Sequence, residues 1–137
     1  MSSIEKSENG SIIIKAQNKG KLVEKEVVYD SATLSGVYTA IRNLIAQLVI
    51  SKGKWEGKTQ RFVMVLVKEI IEFSEGYKYL AGQDKKTLVM LVLNEIFNKE
   101  LDESELDDDI KALILQGINM VVEPALEIAI YAAKGNI

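Results

Sequence analysis

The stretch ALILQGINMVVEPALEIAIYAAKG, residues 112–135, decides the fold. Its charged residues are Glu123, Glu127 and Lys134, and a proline stands near its middle. Set on a helix, Gln116, Asn119, Glu123, Glu127 and Lys134 fall at intervals of three, four, four and seven, so the polar side chains share one narrow stripe. A lone membrane span would hold two carboxylates in hydrocarbon, at several kcal/mol. A soluble assembly of helices turns the stripe to water and surrounds the remaining faces. The acidic segment ahead of it supplies no basic flank either, so the stretch reads as the central helix of a soluble domain and not as a span. Pro124 lacks an N–H and its ring opposes the carbonyl of Met120, which disfavours a straight helix by roughly 3 kcal/mol. The helix over 106–134 therefore bends or breaks near Pro124. Gly117 gives the bend room or lets a neighbouring backbone approach closely, and Gly135 ends the helix with Lys134 at its negative pole.

Working backwards, NKELDESELDDD (98–109) holds seven acids between Glu100 and Asp109. Ser104 with Asp107 resembles a capping box for the following helix. The run lacks the central glycine and oxygen-ligand spacing of a calcium loop. Two further helices precede it, over 58–74 and 85–98. Their apolar faces are Phe62, Val63, Leu66, Val67, Ile70 and Ile71, and Leu88, Val89, Val92, Leu93, Ile96 and Phe97. Asp84 reads as the cap of the second. Their cores VMVLVKEI (63–70) and VMLVLNEI (89–96) agree at four of eight positions, a weak sign of repeated units. The first helix, 31–50, carries Leu34, Val37, Tyr38, Ile41, Leu44, Ile45, Leu48 and Val49 at helical spacing, with Asp30 or Ser31 as its cap.

Residues 1–29 form a leader and a two-stranded hairpin, Ser11–Lys15 and Lys21–Tyr29, turning at Asn18 to Gly20. A lone ribbon is marginal, so it lies on the helices or pairs with another chain. The fold class is mainly α: a single-domain, compact four- or five-helix bundle with a short N-terminal β-hairpin, in keeping with 137 residues, 47% of them hydrophobic.

The chain has no cysteine and no histidine. Disulfides, the usual zinc sites and Ser-His-Asp or Cys-His catalysis are thereby excluded. Glu123 and Glu127, one turn apart, are the nearest approach to a catalytic pair, and no third group joins them. The reading is of a non-enzymatic protein without cofactor or metal. No apolar leader precedes the hairpin, which suggests a cytoplasmic or otherwise intracellular setting. Arg42, Lys52, Lys54, Lys58 and Arg61, with Trp55 among them, could meet phosphate, but the footprint is small and the net charge is −3. Residues 1–86 carry a net +4 and residues 87–137 a net −7, an asymmetry that can steer association.

What remains is a protein-protein interaction or scaffold role with self-association, most simply as a homodimer, or binding of another protein. The candidate contact residues are Ile12, Ile14, Val23, Val27, Tyr29, Trp55, Tyr77 and Tyr79. The segment 62–135, with its GQDKK turn, LVMLVLNEIF helix, acidic linker and AAKG ending, resembles small helical proteins encoded by large DNA viruses. That resemblance implies a viral structural or host-interaction protein, in host cytoplasm or virion. It assigns no residue roles, and the hairpin, first helix and Trp55 have no counterpart in it.

Overall fold

A computed structural model describes residues 3–8 and 10–133; Lys134 and Gly135, read above as the end of the last helix, lie outside the described residues. Among the described residues the chain is mainly helical, with four helices and a three-stranded antiparallel sheet. The expected hairpin is thus one strand short. β1 (Ser3–Lys6) pairs with β2 (Ile12–Asn18), which pairs with β3 (Lys21–Val27). SIEK offers one apolar residue, and its pairing is supplied by β2, where Ile4 stands opposite Ile14. Lys19 and Gly20 both have positive φ, 55° and 81°, the two left-handed positions of a tight hairpin turn between β2 and β3.

Register sorts the faces. Ile12, Ile14 and Ala16 of β2 and Val27 of β3 are buried in the core shared with the helices. Lys15, Gln17, Glu24 and Glu26 are exposed. β1 and β3 are the edges, and the charges of β3 discourage a further strand from adding there. The sheet is anchored at Glu95, which takes Lys6 at 2.9 Å and the Tyr29 hydroxyl at 3.4 Å. The Tyr38 hydroxyl donates to the Tyr29 carbonyl at 2.8 Å.

Helix α1 spans Ser35–Ile50. It starts later than residue 31 because Asp30 caps a preceding turn, its Oδ1 accepting the Thr33 N–H at 2.7 Å. The buried face is Val37, Tyr38, Ala40, Ile41, Leu44, Ile45 and Leu48; Val49, expected inside, is 43% exposed. Helix α2 covers Gln60–Ser74 after a short 3-10 turn at Gly57–Thr59. Helix α3, Gly82–Asp102, is longer than the expected 85–98. Extended Ala81 is its N-cap, with the Lys85 N–H on the Ala81 carbonyl, and Asp84 falls in the first turn instead of capping. Buried Leu101 secures the far end.

Helix α4 consists of Asp108–Gly117, a π turn at Ile118–Val122, and Glu123–Ala133. The chain answers Pro124 by widening one turn: the Glu123 N–H donates to the Ile118 carbonyl, five residues back. The expected capping box does not form. The Ser104 hydroxyl donates to the Leu101 carbonyl at 2.6 Å, Asp107 is an N-cap without a side-chain hydrogen bond, and Asp108 and Asp109 occupy the first turn, where the helix dipole favours them. Asp108–Ala132 is long and apolar enough to cross a membrane, and a third of its most apolar window is buried against the rest of the protein.

Candidate interaction surface

The residues singled out from sequence separate into three places. Ile12, Ile14 and Val27 lie in the core. Val23, Tyr77 and Tyr79 gather where the sheet meets the α2–α3 connection: Tyr77 and Tyr79 meet edge to face at 6.4 Å, and Lys25 Nζ lies 5.8 and 5.7 Å from their ring centres. Lys25 shares the inner face with Ile14, its register partner, so this charge meets aromatic faces where an aliphatic residue would otherwise be needed. Tyr29 is on the α3 side, at Glu95.

Trp55 is at the other end. A Cβ built on Gly117 would come within 1.8 Å of its Nε1 and 2.0 Å of its Cε2, so the indole rests directly on the glycine backbone of α4. The neighbour at Gly117 is therefore a side-chain ring and not the backbone expected there. Beside it opens a hollow lined by Lys54, Leu113, Gln116, Met120 and Val121. Among the described residues, the indole N–H and the Tyr79 hydroxyl are buried atoms without a hydrogen-bond partner.

The basic residues do not form one free patch. Arg42 is engaged by Glu100, with Nε 3.0 Å and Nη2 2.9 Å from the same carboxylate oxygen, and lies over the Tyr38 ring. That carboxylate holds its guanidinium above the ordinary pKa. Gly53, between Lys52 and Lys54, packs on Leu113 and Ile110 at the acidic start of α4. Lys58 and Arg61 are exposed near the start of α2.

Glu123 and Glu127 are both committed to Lys86 of α3, at 3.1 and 3.2 Å. Hydrogen bonds to Glu123 and then to Glu127 raise the Lys86 pKa above its usual 10.5. The pair therefore works as a clamp between α3 and α4. Among the described residues, no three histidine, cysteine or acidic side chains cluster as a metal site.

An apolar groove lies apart from the candidate contact residues named from sequence. Val63, Met64, Val67 and Ile71 of α2 face Ala125, Ile128 and Ala129 of α4 across a groove of roughly 540 Å³, with Lys68 and Glu72 on its rim. Met64 is 72% and Ile128 62% exposed, and Val67 and Ile71, expected in the core, are only half-buried. The run VMVLV (63–67) carries the signal: five consecutive apolar residues exceed what one buried helix face can absorb.

No family model, curated protein or solved structure matches the chain.

Proposed function

We propose that this is a non-enzymatic helical interaction or scaffold protein that self-associates, its helices forming a compact bundle and its sheet a lid over one side. The open α2–α4 groove carries the reading. Large exposed side chains at Met64 and Ile128 flank an apolar floor, and a protein in water gains by covering such a surface with another protein. The groups that could have served chemistry are otherwise engaged: Glu123 and Glu127 by Lys86, and Arg42 by Glu100. Both engagements count against a carboxylate enzyme and a phosphate-binding surface. Insertion of α4 in a membrane would break the Lys86 clamp and strip the core of Ile118, Val122, Leu126 and Ile130, which favours a water-soluble assembly. The resemblance of residues 62–135 to small viral helical proteins supplies the proposed setting, host cytoplasm or virion. Light scattering of the full chain at micromolar concentration tests the reading. A dimer mass is expected, and a strict monomer of 15.3 kDa across the concentration range would refute self-association.

A further inference from the structure

The groove between α2 and α4 offers both a projection and a recess. Ile128 and Met64 stand out from the surface, while Ala125 and Ala129 leave a low floor beside them. A surface that holds its own knob and its own hole can pack against a rotated copy of itself, the requirement of an isologous contact. The rim carries the same property in charge. Lys68 and Glu72 are one turn apart on α2, both exposed, and neither forms an ion pair among the described residues. When two α2 helices meet antiparallel about a two-fold axis, each lysine comes opposite the other copy's glutamate, twice over. A lipid surface would gain nothing from this rim, because its opposite charges cancel and offer an anionic headgroup no net attraction.

We propose that the groove is occupied by a second copy of this chain, two-fold related, with Lys68 of each copy against the partner's Glu72 and Ile128 seated over the partner's Ala125 and Ala129. This rests on the self-association proposed above and names its surface. The test measures the dimer Kd by sedimentation for the full chain and for Lys68→Glu, Glu72→Lys, the double variant Lys68→Glu/Glu72→Lys, and Ile128→Glu. Circular dichroism checks that each stays helical, as substitutions at exposed positions should.

Each single reversal creates two like-charge contacts and should raise Kd about tenfold. The double variant restores the pairing and should return to within about threefold of the parent chain. Ile128→Glu introduces two carboxylates at the apolar centre and should raise Kd by about a hundredfold or more. A chain that dimerises with a Kd indifferent to Ile128→Glu, or a double variant no tighter than the weaker single, overturns the assigned surface while self-association stands. A monomeric parent chain refutes self-association itself and the assigned surface with it. Uptake of the parent chain on neutral lipid vesicles, lost in Ile128→Glu, would make the groove a lipid-facing surface and overturn the proposal.

Discussion

Replacing Gly117 by alanine sets two effects of opposite sign against each other. An alanine inside a helix is favoured over glycine by about 1 kcal/mol, so an unobstructed site would become more stable. Here the added methyl would stand 1.8 Å from Trp55 Nε1, and the obstacle is a rigid ring rather than the tip of a flexible chain. The indole, carried on the segment between α1 and α2, has to leave. Trp55 is half-buried, so its departure exposes on the order of 100 Å², about 2.5 kcal/mol at 25 cal/mol per Å². The net loss is about 1.5 kcal/mol, a fall in Tm of about 5 °C for a domain of this size. Thermal unfolding followed by circular dichroism measures it. Trp55 is the only tryptophan, so its emission should shift to the red in the folded variant. In a Trp55→Ala background the obstacle is gone, and the same Gly117→Ala change should stabilise by about 1 kcal/mol. An unchanged emission maximum with a raised Tm in the parent chain, or equal effects in both backgrounds, refutes the close approach of ring and glycine.

Two further tests address the clamp and the lid. Lys86 has a raised pKa in the folded chain, so its contribution is complete below the unfolded value near 10.5 and is lost as pH rises through the folded value. Tyr29, Tyr38, Tyr77 and Tyr79 are raised above 10.0, with burial the first cause, and act in the same direction. Urea unfolding at pH 8 and pH 11 should show the parent chain losing stability, with a smaller loss in Lys86→Met; equal losses would mean that the clamp contributes nothing. Ile14→Ala should cost about 3 kcal/mol as a core truncation, while Leu22→Ala, at a position 73% exposed, should stay within about 0.5 kcal/mol. Equal small effects from urea midpoints would show that the sheet does not share the helical core, and in that case deleting residues 1–29 would leave helicity intact instead of reducing it.

The buried side of α3 was legible because it is one-sided: each of Leu88, Val89, Val92, Leu93, Ile96 and Phe97 is inside. Its start was less so. Asp84 suits a cap and a first turn equally, and what separates them is the extended backbone of Ala81, which side-chain chemistry does not encode. β1 was hidden for a different reason, since its pairing comes from β2 and hardly from its own four residues. The groove shows the limit of periodicity. Val67 and Ile71 have the spacing of core positions, but spacing reports which residues share a face and not whether a neighbour covers it. The Arg42–Glu100 and Lys86–Glu123–Glu127 contacts join residues far apart in sequence, so charges that read as a basic patch and a carboxylate pair are ties between helices.

The π turn links the proline to the exposed groove. Ile114, Ile118, Val122, Leu126 and Ile130 are all buried, at an unbroken spacing of four. On a regular helix of 3.6 residues per turn, each such step advances the side chain by about 40°, and four steps would carry Ile130 to the opposite side from Ile114. The wider turn at Ile118–Val122 takes back part of that advance, and it lies where Pro124 has no N–H to give to Met120. Both halves of α4 thereby keep one seam in the core, and Ala125, Ile128 and Ala129 are left alongside α2. A straight α4 would rotate its second half about its axis and turn the Ile128 side away from Met64 and Ile71. The same local irregularity that holds the core together therefore sets the geometry of the surface assigned to the second copy.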